Sequence, residues 1–347
     1  MEPRDMTRIP TVEPATGQAS TGRKINRRMA LRGLGAALAT PALTSGAGAQ
    51  DAWPTRPVRL IVPYAPGGAS DFIARPWADK LQQAFGQPFI VDNRGGAAGS
   101  IGTEAGARAA PDGYTFLLTP GATLSVLPQL RKVPYDPIKD FVPVGRVGDL
   151  VCGFVIRVDT GPSSMKEVVE YAKKNPGKLA FGSAGLGTYT QMRLEMLKMR
   201  AGIDILHVPY RGSADALNDL LGGQVQMMNE IVVLPHVRAG KLKLLGINFP
   251  TRHPDFPDVP TLTEAGYPDS DVPIWYSIQA PTGAPAPILE KFNAKINEIS
   301  ATPEMIKRMR EINVVVPQQT LSALLAYREA DMVSNGKLIK EAHIKLD

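Results

Sequence analysis

Two apolar runs in this chain end in glycine and open straight into helical sequence, and that pattern constrains the fold more than any other feature. The first is Val58-Arg59-Leu60-Ile61-Val62, followed by Pro66-Gly67-Gly68-Ala69-Ser70-Asp71. The second is Lys178-Leu179-Ala180-Phe181, followed by Gly182-Ser183-Ala184-Gly185-Leu186-Gly187-Thr188. A strand that hands over to a helix through glycine leaves the first helical N–H groups without main-chain partners. Such an end carries partial positive charge and suits an anion. Two of them in one chain predict a small anionic ligand held between two lobes.

The surrounding pattern is that of an α/β protein. Residues 58–64 read as a strand and 72–85 as a helix, with apolar positions at Phe72, Ile73, Trp77, Leu81 and Phe85 and with Ser70 or Asp71 as its cap. A strand at 88–91, a glycine loop at 92–99, an alanine-rich helix to 110 and a strand at 114–119 continue the alternation, which predicts a largely parallel sheet. The apolar run 150–156 reads as a strand crossing to a second lobe. There, helices are expected at 165–174, 189–199 and 214–221, the last capped by Ser213, with strands at 179–182, 206–210, 225–228 and 242–247. A Pro- and Asp-rich loop (250–273) precedes a strand at 275–280 that returns to the first lobe. Helices at 287–300 and 303–312 and a final one from Leu321 close the chain. The expected division is therefore residues 1–49 apart, 50–150 with 273–347 as a discontinuous first lobe, and 151–272 as the second. Two crossings between lobes make a hinge and a closable cleft.

Residues 1–49 read as an export signal with a disordered lead. Asn26-Arg27-Arg28-Met29-Ala30-Leu31-Arg32 precedes the weakly apolar Gly33-Leu34-Gly35-Ala36-Ala37-Leu38-Ala39, and Ala47-Gly48-Ala49 supplies a small-residue cleavage site. The implied destination is the periplasm, with cleavage after Ala49 and by either the twin-arginine or the general route. This segment also explains the charge. The whole chain carries +6, but seven of its 39 basic and three of its 33 acidic residues lie before Gln50. That leaves 32 basic against 30 acidic residues, or +2, which is no footprint for nucleic acid.

Catalytic and metal chemistry find little support. No G-x-S-x-G elbow occurs, and the single cysteine, Cys152, lies in the apolar run Leu150-Val151-Cys152-Gly153-Phe154, as a buried structural thiol does. His207, His236, His253 and His343 are scattered, so no metal and no cofactor is expected. His207, Trp275 and Tyr276 read as core.

Several segments together resemble the substrate-binding subunits of tripartite tricarboxylate transporters, the Bug or TctC-like family. They are Tyr64-Ala65-Pro66-Gly67-Gly68-Ala69-Ser70-Asp71, Val91 through Gly102, Ala109-Ala110-Pro111-Asp112-Gly113-Tyr114-Thr115, Tyr135-Asp136-Pro137-Ile138-Lys139-Asp140-Phe141, Phe181 through Thr188, His207-Val208-Pro209-Tyr210-Arg211-Gly212, and Trp275-Tyr276 with Ala280-Pro281-Thr282-Gly283. The resemblance implies a two-lobed periplasmic binding protein of the type II-like class, each lobe a mixed sheet flanked by helices, with a hinge between them. It implies capture of a small carboxylate, held mostly by backbone amides and water. Carried across, the ligand-binding residues are Tyr64, Pro66, Gly67, Gly68, Ala69 and Asp71 at the first loop and Ser183, Ala184, Gly185 and Thr188 at the second, with Thr119 and Thr123 beyond the 114–119 strand. Arg211 either faces the ligand or pairs with Asp215 four residues on. The implied partners are membrane permease subunits, or a sensor kinase if the protein only presents its ligand; an enzyme on the same scaffold is the remote alternative, and the protein is expected to be a monomer. Two departures fall where ligand identity is set: Gln191 stands where relatives often carry His, and Glu230 where they often carry Asp or Gly.

Overall fold

The computed structural model describes residues 53–345; the export-signal reading of residues 1–49 lies outside them. Eleven strands form two mixed sheets among the described residues. Strands β1 (Val58–Val62), β2 (Phe89–Asn93), β3 (Thr115–Pro120), β4 (Phe141–Leu150), β10 (Ile274–Pro281) and β11 (Val314–Val315) build the first, in the order β11-β4-β10-β3-β1-β2. Strands β5 (Gly153–Arg157), β6 (Ala180–Ser183), β7 (Leu206–Pro209), β8 (Met227–Asn229) and β9 (Leu242–Ile247) build the second, in the order β7-β6-β8-β5-β9. Each sheet has a parallel part (β2-β1-β3 and β7-β6-β8) continued by antiparallel strands.

Helices of eight residues or more flank the sheets: α1 (Ala69–Phe85), α2 (Ser100–Ala107), α3 (Met165–Lys174), α4 (Tyr189–Ala201), α5 (Ser213–Gly222), α6 (Ala286–Ser300), α7 (Pro303–Glu311) and α8 (Leu321–Glu341). The strand–loop–helix order β1-α1, β6-α4 and β7-α5 places three helix N-termini at the C-terminal ends of parallel strands, where open α/β sheets collect their ligands.

The chain passes between sheets at Val151-Cys152 and again between β9 and β10. At the first passage the Val151 amide donates to Asn313 O at 2.9 Å, and the Asn248 amide donates to Cys152 O at 2.8 Å. These bonds tie both passages together at one edge. The expected single strand at 150–156 is thus two strands, because the chain changes sheets at this point.

The ten-residue β4 is not apparent from the sequence, since Pro143, Gly145 and Gly148 interrupt its apolar pattern. The glycines answer to packing. A Cβ at Gly145 would lie 2.7 Å from Ile296 Cδ1 of α6, and one at Gly148 would lie 2.5 Å from Val314 Cγ1.

Candidate functional site

The loop after β1 and the loop after β7 meet across a cavity of about 70 Å³. From the first lobe come Tyr64, Pro66, Gly68, Ala69 and Ser70, with Pro120, Ala122, Ile274 and Tyr276 behind them. From the second come Ala184, Thr188, Tyr189 and Thr190, then Gly212, Ser213, Ala214 and Asp215, and finally Glu230. Among the described residues, no Lys, Arg or His lines this cavity.

The positive side is main chain. Gly68 is the N-cap of α1, and no side chain bonds to that helix's first turn. Gly212 is the N-cap of α5, also without a side-chain cap. The two ends are close: a Cβ placed on Gly68 would lie 3.9 Å from the Ser213 nitrogen. Each end carries roughly half a positive charge, so two like ends from opposite lobes face one another across the gap. An anion between them relieves that repulsion and takes N–H groups that have no intrahelical partner.

The expected caps are corrected here. Neither Ser70 nor Asp71 caps α1. Ser70 Oγ is 3.2 Å from the Tyr276 hydroxyl, and Asp71 accepts from the Gly67 amide at 3.0 Å and from Arg75 at 2.9 and 3.0 Å. Burial alone would raise the Asp71 pKa, but Arg75 and the Gly67 amide outweigh it and hold the carboxyl below its usual range. Ser213 is the first residue of α5 rather than its cap, which frees its hydroxyl to donate to Glu230 Oε1 at 3.0 Å.

Of the residues expected at the ligand, Tyr64, Pro66, Gly68, Ala69, Ala184 and Thr188 line the cavity, while Gly67, Asp71, Thr119, Thr123, Ser183, Gly185 and Arg211 do not. Thr119 and Thr123 are fully buried and bond to each other at 2.7 Å. Ser183 Oγ is 2.7 Å from His207 Nε2, and burial pushes that imidazole down to about 4, so it is neutral at pH 7. Gly185 and Arg211 line a wider recess of about 600 Å³ outside the cavity. The Arg211 side chain is 91% exposed and lies 3.5 Å from Asp215. In this structure Arg211 thus lies beside Asp215 in the outer recess and not on the cavity.

The second glycine loop differs from the first in a way the sequence conceals. Its amides are already bonded. Ala184 N donates to Thr190 Oγ1 (3.0 Å), Gly185 N to Ser183 Oγ (3.1 Å) and Gly187 N to Gln191 Oε1 (2.6 Å). The open helix start on this lobe is the one at Gly212-Ser213. Its sequence signal, a strand ending in glycine before a helix, is the same as at the other two loops, but it is masked by a serine that looks like a cap.

Glu230 lines the cavity and is 3% exposed. Burial pushes its carboxyl up to about 7, against the opposing pull of the Ser213 hydroxyl, the Ile231 amide and Arg193. On the far side of the wall, the Tyr189 hydroxyl donates to Asp331 of α8 at 2.5 Å, and Ser125 Oγ donates to the same oxygen at 2.5 Å. This buried contact joins the start of α4 to α8, which packs on β4 of the other sheet.

Residues 73–344 match the family model of the tripartite tricarboxylate transporter family receptor, TctC. The chain belongs to that family. It is 39% identical over 278 residues to Protein BugT of Bordetella pertussis, covering 79% of this chain and 85% of that protein. Among solved structures it is similar to Rpa4515 of R. palustris with adipate (TM-score 0.81, 30% identity, 84% of this chain and 99% of that one). It is also similar to MatC of Rhodopseudomonas palustris with bound malate (TM-score 0.78, 30% identity, 83% of this chain and 100% of that one). Family and fold are those of two-lobed periplasmic solute-binding proteins.

Proposed function

We propose that this TctC-family receptor captures a small organic acid between its lobes and delivers it to the permease subunits of a tripartite tricarboxylate-type transporter. One observation carries the reading: two helix N-termini from opposite lobes, neither with a side-chain cap and so near that a Cβ on Gly68 would lie 3.9 Å from the Ser213 nitrogen, on a cavity that no basic side chain lines among the described residues. Among the described residues the positive groups on that wall are main-chain dipoles, and a carboxylate is a small anion whose two oxygens can meet N–H groups from both sides. The adipate and malate bound by two structural neighbours support the same ligand class.

The mechanism is closure driven by the ligand. Residues 50–150 with 273–347 form one lobe and 151–272 the other, hinged at the two passages between sheets. A carboxylate touches both helix starts only when the lobes approach, so it favours the closed state by the difference in contacts. Delivery requires release, which argues against extreme affinity and fits low-micromolar or somewhat tighter binding, roughly −8 kcal/mol or better. The protein works in the periplasm after cleavage behind Ala49, so N-terminal sequencing of exported material should begin at Gln50. A calorimetric screen of mono- and dicarboxylates against the purified protein tests the reading: saturable binding of at least one acid supports it, and a screen without a binder contradicts it.

A further inference from the structure

We propose that Glu230 selects among carboxylates, so that the cleft takes acids carrying a hydrogen-bond donor, an ammonium or hydroxyl group near the carboxylate, in preference to plain acids. The inference rests on the carboxylate reading above and names the class within it.

Glu230 is buried on the same cavity as the two open helix starts. Its Oε1 accepts from Ser213 Oγ at 3.0 Å and its Oε2 from the Ile231 amide at 3.2 Å. A carboxylate has about four acceptor positions, so both oxygens keep capacity after these bonds. The nearest guanidinium does not consume it: Arg193 is directed at Cys152 Sγ, Asn229 Oδ1 and Val272 O.

The charge balance leads to the same ligand. Two helix starts supply roughly +0.5 each; burial pushes the Glu230 carboxyl up to about 7, and its ionised form, which a ligand ammonium or hydroxyl would favour, offsets about all of that charge. A plain dianion pressed into this cavity meets Glu230 with no cation to compensate. A guest whose carboxylate lies between the helix starts, and whose ammonium or hydroxyl meets Glu230, satisfies both walls. A site built to accept a ligand donor also discriminates strongly against the analogue lacking it, because the buried acceptor is then left unpaired.

The test is calorimetric titration of the purified exported protein with two series matched at one carbon: succinate, malate and aspartate; propionate, lactate and alanine. We expect at least one donor-bearing member to bind ten times or more tighter than its parent acid, and Glu230→Gln to lower that ratio at least fivefold. Parent acids binding within tenfold of their counterparts in both series would overturn the inference while leaving the carboxylate reading standing. A ratio unchanged in a folded Glu230→Gln protein, with circular dichroism matching the parent, would also overturn it. If that variant fails to fold, the ratios of the unmutated protein decide alone. Binding of no member of either series would overturn this inference, and the wider carboxylate screen would then decide the reading on which it rests.

Discussion

Gly68 is where the absence of a side chain matters most. Its backbone, at φ −93° and ψ 179°, is open to any residue, and a Cβ would make only ordinary contacts of 3.8 to 4.0 Å. Valine there should fold, but its methyl groups would fill the gap between the helix starts. We expect Gly68→Val to weaken carboxylate binding at least a hundredfold in calorimetry, with a melting temperature within a few degrees of the parent; retained affinity would place the ligand elsewhere.

Glu230 has a separate signature in stability. Its carboxyl is raised from 4.5 to about 7 in the folded protein, so the folded state holds the proton more tightly than the unfolded chain. The stability tied to that proton is fully present below about pH 4.5 and is lost as pH rises through about 7. Denaturant unfolding across this window should show the parent losing roughly 3 kcal/mol relative to Glu230→Gln; parallel profiles would mean that the carboxyl is solvated. The sequence marks Glu230 as a departure but not as a buried wall residue. Its burial comes from contacts that no local pattern reveals: Ser213, seventeen positions away, and the chain turning after β8.

At the level of elements, helices with a caps-and-periodicity signature are the most legible. Helix α3 spans Met165–Lys174 as expected, and Ser164 accepts from the Glu167 amide at its start. Strand β4 is illegible because its glycines serve the helices packed on it rather than the strand itself. The two expected glycine loops are alike in sequence and unlike in structure, because side chains later in α4 fold back onto the second. Gln191 is the clearest case, accepting from the Gly187 amide while 4% exposed. Gln191→Leu would leave that amide buried and unpaired, at a cost of about 1–3 kcal/mol. Thermal denaturation should show the drop, and an unchanged midpoint would mean that the amide finds another partner.

The two-lobed α/β architecture is legible because strand–helix alternation appears twice, with a return of the chain to its first sheet at Trp275-Tyr276. What the sequence leaves out is how the lobes meet. The contact of Tyr189 and Ser125 with Asp331 joins residues up to 206 positions apart and packs the cavity wall against α8. Tyr189→Phe removes one hydrogen bond from that contact, about 1 kcal/mol. If the contact forms on closure, population shift should lower apparent ligand affinity about fivefold, without loss of fold. Because Tyr189 also lines the cavity, Asp331→Asn, which leaves the lining intact, should weaken binding in the same direction; unchanged affinity in both would mean that the contact persists in the open form.

The central claim is that main-chain N–H groups from two lobes hold one carboxylate. A crystal structure of the protein with a bound carboxylate tests it most directly. The account predicts carboxylate oxygens at hydrogen-bond distance from amides in the first turn of α1 and in the first turn of α5. A ligand seated instead on the Arg211 guanidinium in the outer recess, or touching only one helix start, would contradict it.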